Sequence, residues 1–226
     1  MGRDNSPKER QRQQLARKLN RRASYDRILI VSEGSKTEPN YFNEIRVAHR
    51  LHTANVAVRP SELGTAPLQV VRYAQQLFEH GDPHLHRRIQ KRAFEQVFAM
   101  FDRDEHESYF DALRLAESLD GKLKNDIKQP IRFRAIASVP NFELWLLLHY
   151  EDIRAPIHRD EVLSRLRRHY PGYEKGITGV FAATKGRLEV ATQRAQVLAT
   201  RFSAHTVPEP FTAAADLAQL LIGLRS

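Results

Sequence analysis

The sequence predicts an α/β fold: a mainly parallel four-stranded sheet flanked by helices, with a C-terminal helical extension. Three observations carry this expectation. Short apolar runs alternate with longer amphipathic stretches over residues 25–152. The run "EQVFAMF" ends in five consecutive apolar residues, the pattern of a central strand covered on both faces. Beyond Glu151 only helical periodicities follow.

Taken in order, Arg27–Ser32 reads as a first strand. A helix from Pro39 to about Leu51 follows, with Pro39 at its start, where a missing N–H costs nothing. Asn55–Arg59 is a weaker second strand, and Pro67–His80 a helix with Leu68, Val71, Leu77 and Phe78 as its inward stripe. "GDPHLHRRIQKR" is a polar excursion before the central strand Glu95–Phe101. Ser108–Asp126 forms a helix that Ser108 can cap. Ile131–Ser138 alternates apolar and polar residues, as an edge strand or one with a solvated face does. "NFELWLLLHY", residues 141–150, is apolar all round and reads as a buried helix, with Trp145 and Leu146 to Leu148 in the core. Further helices are expected near Arg159–His169, Arg187–Phe202 and Ala213–Leu224, separated by turns at Pro171–Gly179 and Pro208–Pro210.

The chain divides into a basic arm (1–24), an α/β domain (25–152) and the helical extension (153–226). The formal charge is +9, and residues 1–22 hold eight Lys or Arg against Asp4 and Glu9, leaving only +3 for the other 204 residues. The arm is either a solvated tail or a phosphate-binding one with salt-sensitive affinity. No apolar run approaches the roughly 20 residues of a membrane span. The basic start lacks a signal peptide's apolar core, so a cytoplasmic protein is expected. With no cysteine, thiolate metal sites, disulfides and cysteine nucleophiles are excluded.

The chemistry concentrates where strands end. Glu33 follows the first strand, and Asp102 and Asp104 follow the third in "MFDRDEH". In an open parallel sheet ligands gather at those carboxyl edges. If the two strands are neighbours, three carboxylates converge, and carboxylates that close repel unless a divalent cation lies among them. An extended i, i+2 spacing points Asp102 and Asp104 the same way. Magnesium or manganese suits an all-oxygen site. "GSKT" lacks the spacing of a nucleotide-binding P-loop, and no GxGxxG exists. Lys36 and Arg103 are candidate phosphate contacts. His80, Asp82, His84 and His86 form a further ligand-like cluster, read as solvent-facing rather than as a zinc site.

Three segments then carry a resemblance. "ILIVSEGSKTEPNYF", "VFAMFDRDEH" and "SVPNFELWLLLHY" are similar to the RloB-like family of bacteria, and the order of elements resembles the Toprim fold. The similarity spans about residues 25–225, leaving the arm at 1–22 outside the core motifs. The resemblance implies that Glu33, Asp102 and Asp104 bind Mg2+ or Mn2+ and act catalytically, with Glu38 and Glu143 as second ligands or ligand-orienting groups. Glu38 is open to another reading, a charge favoured at the positive end of its own helix. "YEKGITG" at 173–179 resembles a tyrosine–lysine element of the family, in which Lys175 reaches a phosphate, offsets transition-state charge or simply lies on the surface. The family is found near restriction or phage-defence genes, and related systems pair with an ATPase. The resulting expectation is a metal-dependent nuclease acting on DNA or RNA, able to form a homo-oligomer. The alternative is a non-catalytic sensor subunit that binds nucleic acid or nucleotide and regulates the ATPase.

Overall fold

A computed structural model of the chain describes residues 26–53, 55–82 and 89–224. Its centre is a sheet in the order β2-β1-β3-β4-β5. The strands are β1 (Ile28–Ser32), β2 (Val56–Pro60), β3 (Gln96–Asp102), β4 (Arg132–Val139) and β5 (Phe211–Thr212). The first four run parallel, and β5 is antiparallel to the end of β4. Order 2-1-3-4 reverses direction at β1, so a crevice opens beyond the carboxyl ends of β1 and β3, where α/β sheets bind their ligands. The arrangement is Toprim-like.

Side-chain alternation along β1 builds the core on both faces. Ile28 and Ile30 point to one layer, Leu29 and Val31 to the other. The second layer is closed by α2 (Pro67–His80) and α3 (Tyr109–Leu119) through Val70, Val71, Phe78, Ala112 and Leu113. The first layer holds α1 (Thr37–Ala48) and α4 (Glu143–Leu148), with Tyr41, Phe42 and Trp145 buried at its centre. The same layer takes in α5 (Arg159–His169), α6 (Val180–Thr184), α7 (Leu188–Arg201) and α8 (Ala214–Gly223), through Leu166, Phe181, Leu198 and Leu221. The C-terminal helices thus share one apolar core with the sheet face they cover.

Several expectations are corrected. The sheet has five strands, because Phe211 and Thr212 pair with Val139 and Ser138 and the Ser138 and Thr212 hydroxyls meet at 2.9 Å. A strand therefore lies beyond Glu151. β4 is half-solvated at its start, where Arg132 and Arg134 are exposed, and closed by β5 at its end. α3 stops at Leu119 rather than Asp126, because the chain turns at Gly121, whose φ is +69° and whose N–H bonds Ile131 O. α1 begins at Thr37, which puts Pro39 third in the helix, among the first-turn positions whose N–H groups have no helical acceptor. The first i to i−4 bond, Asn40 N–H to Lys36 O at 2.8 Å, starts one residue later. On α2, Leu68 is only partly buried while Val70, Tyr73 and Ala74 join the inward stripe. The short helix α6 was not expected. Among the described residues no helix is long and apolar enough to cross a membrane.

Candidate metal centre

Parallel pairing sets the site. Ser32 lies opposite Met100, and Glu33 N–H extends the ladder by bonding Met100 O at 2.9 Å. The chain then turns at Gly34, whose carbonyl accepts the Ser32 hydroxyl at 2.8 Å. The Glu33 side chain reaches across to β3, where Oε2 accepts the Asp102 N–H at 3.0 Å. Its Oε1 lies 3.6 Å from His106 Nε2. Ligand atoms of Glu33, Asp104 and His106 all lie within 4.8 Å of one another. Glu33 and Asp104 are thereby brought together.

Asp102 is placed differently. β3 ends at Asp102, and the next residues leave the extended path: Asp104 takes a φ of +31°, uncommon outside glycine. Asp102 is not one of the clustered three. Asp102, partly buried at the end of β3, lies close enough to Glu38, Glu143, Glu33 and Asp104 to be repelled by each. Burial first, then repulsion from Glu38, Glu143, Glu33 and Asp104, holds the Asp102 carboxyl well above its ordinary range.

Glu38 and Glu143 form the floor. Glu143 opens α4 and is 2% exposed, and its Oε1 accepts the Tyr173 hydroxyl at 3.3 Å and lies 3.5 Å from Lys175 Nζ. Glu38 is buried against Gly34, where any Cβ would collide with Oε2. Burial, with repulsion from Glu143 and Glu33, pushes Glu38 up to about 7, against the pull of Lys175. Glu33 is also raised, by burial above all and by Asp104, while the Asp102 N–H and His106 pull it down. Five carboxylates thus compete for too little positive charge.

The candidate phosphate contacts separate. Arg103 braces the turn: Nη1 donates to the carbonyls of Asp104 and His106 at 2.8 and 3.3 Å, and its guanidinium lies 5.3 Å from the Tyr109 ring centre. Lys36 is exposed, with its stem packed on Gly176. Lys175 is half-exposed and reaches the floor because residues 173–179 dock on α1. That docking uses Asn40 Nδ2 donating to Gly176 O at 2.8 Å. It also uses the Glu44 carboxylate, which accepts the N–H groups of Gly179 and Phe181 at 2.5 and 2.8 Å and so caps α6. His80 is exposed, and His84 and His86 of the other ligand-like cluster lie outside the described residues, as does the basic arm.

His106 is the member that sequence reasoning missed. Its only signal is its place two residues beyond Asp104 in "DRDEH". The donor set of two carboxylates and one imidazole fits a divalent cation. Carboxylates suit Mg2+ and Mn2+, and the imidazole favours Mn2+ of the two. The raised carboxyls and a buried Asp104 Oδ1 without a hydrogen-bond partner are further reasons that a cation fits here.

Comparison with curated proteins and with solved structures returned no match. Comparison with protein families matched the one described as RloB-like protein over residues 28–221. That span takes in all five strands, the acidic cluster and the covering helices through Leu221, and on this ground the chain belongs to the RloB-like family.

Proposed function

We propose that this protein is a divalent-cation-dependent nuclease that hydrolyses phosphodiesters at the carboxyl ends of β1 and β3. The observation that carries the reading is the meeting of Glu33, Asp104 and His106 within 4.8 Å at the point where the strand order reverses. A bound Mg2+ or Mn2+ would supply charge to polarise a phosphate and lower the pKa of a water.

The chain's own residues would do the rest. Glu33, Asp104 and His106 would hold the ion, with Asp102 behind them fixing Glu33 through its backbone N–H. Glu33 would act as a ligand, with Oε2 fixed by the Asp102 N–H and Oε1 turned toward His106. Lys175 and Lys36 at the rim would face an anionic substrate, and Lys175 also balances Glu143. The family resemblance supports a place in bacterial anti-phage defence, in the cytoplasm, beside an ATPase partner, since the chain has no nucleotide-binding P-loop.

The test is to incubate purified protein with plasmid, linear DNA and RNA in Mg2+ or Mn2+, beside Glu33→Ala, Asp102→Ala and Asp104→Ala. Cleavage by the wild type, reduced roughly 100-fold or more in the Glu33 and Asp104 variants, is expected. Binding without cleavage would replace the nuclease with a sensor subunit, and neither binding nor cleavage would remove both.

A further inference from the structure

Arg159 enters the site from an element the acidic motifs do not predict. It is the first residue of α5, and its Nη1 lies 3.3 Å from Asp104 Oδ1. That oxygen is buried and has no aligned hydrogen-bond donor, so Arg159 gives it charge without a directional bond. The Asp104 main chain is fixed independently. Its N–H bonds Pro140 O at 3.3 Å and its carbonyl accepts from Arg103. Only the carboxylate depends on the pair.

The position of Arg159 is unfavourable for its own helix. A cation in the first turn opposes the positive end of the helix dipole, and Asp160 and Glu161 beside it are the residues a helix start favours. The side chain is 47% exposed and its contact is not a tight bidentate fork, so it can swing away. A divalent ion would sit about 2.1 Å from a carboxylate oxygen. A guanidinium 3.3 Å from the same oxygen would then face a doubly charged neighbour at close range.

Resting on the metal-centre reading above, we infer that Arg159 is a displaceable counter-ion: it holds Asp104 in the ligand position before the cation arrives and is driven off when it binds. Arg159 is therefore a positioning residue that sets metal affinity, and it carries no part of the chemistry.

The experiment is titration of the full chain with Mn2+, read by electron paramagnetic resonance of the free ion, for wild type, Arg159→Gln, Arg159→Lys, Asp104→Asn and Asp104→Asn with Arg159→Gln. Arg159→Gln is expected to bind Mn2+ about two- to fivefold more tightly, as loss of a partly exposed competing ion pair implies. Arg159→Lys should stay near wild type, and in the Asp104→Asn background the Arg159→Gln gain should vanish. The thermal midpoint of metal-free Arg159→Gln should fall modestly, since Asp104 loses its counter-charge in a cluster already short of positive charge, a loss only partly offset by removing a cation from the start of α5. Unchanged or weaker Mn2+ binding by Arg159→Gln, or a gain that persists without Asp104, overturns the inference while leaving the metal centre standing. Failure of the wild type to bind Mn2+ at all overturns the metal centre and the inference with it.

Discussion

At the scale of single residues, Glu38 shows what the fold imposes on this site. Its carboxyl is raised from 4.5 to about 7, by burial first and by Glu143 and Glu33 next. The native state thus holds this proton more tightly than the unfolded chain does. Below about pH 4.5 both states are protonated and nothing is lost. As pH rises from there to about 7, the unfolded state ionises freely, the native state is held back, and stability falls. Glu33 and Asp102, also raised, act in the same direction. Glu38→Gln keeps the neutral form at every pH. Urea unfolding should therefore show the variant gaining on wild type between about pH 5 and about pH 8. At about 1.4 kcal/mol per pKa unit the gain is up to about 3 kcal/mol. A gap that stays constant with pH would mean that Glu38 ionises normally. A Cβ at Gly34 would collide with Glu38 Oε2, so a larger residue there would displace the Glu38 carboxylate from its present place.

At the scale of elements, the segment from Tyr173 to Gly179 closes the floor of the site and depends on Gly176. Its φ is +85°, and an added Cβ would come 2.7 Å from Lys36 Cβ. Gly176→Ala combines left-handed strain of about 1–2 kcal/mol with that clash. It should lift the segment off α1 and withdraw Lys175 from Glu143. Hydrogen exchange should then speed up over Gly176–Phe181, where Glu44 caps α6, while amides of β1 and β3 keep their protection. Equal acceleration across the sheet would instead make Gly176 a general stability residue. Elements with a strong local signal were legible beforehand. Pro67 at the first turn and steady periodicity fixed α2, and α5 emerged with the bounds expected for it. The rest was hidden for local reasons. β5 is two residues long, too short for any periodicity, and exists because β4 offers it an edge. Gly121 ended α3 inside what read as a continuous helix.

At the scale of the whole molecule, the sheet sorts its alternate side chains into two apolar layers, and every C-terminal helix joins the layer beneath Ile28 and Ile30. This placement delivers Arg159 and Lys175, from the distal part of the chain, to carboxylates that arise near its start. The strand endings of Glu33 and Asp102 could be read in advance, because apolar runs stop on them. That β1 and β3 are neighbours was conditional until the strand order was seen. The turn at Asp104 is not a periodic feature, so the sequence could not show that His106, rather than Asp102, completes the clustered three. Arg159 carried no local signal either, since an arginine opening a surface helix is ordinary.

Whether the ends of β1 and β3 share one divalent ion can be seen by anomalous diffraction from crystals of the protein grown or soaked with Mn2+. An Mn2+ peak is expected about 2.1–2.2 Å from carboxylate oxygens of both Glu33 and Asp104, with His106 close enough to ligate and Arg159 moved away from Asp104. Crystals saturated with Mn2+ that show no peak between these residues, or a peak elsewhere with Arg159 still on Asp104, would contradict the shared metal centre.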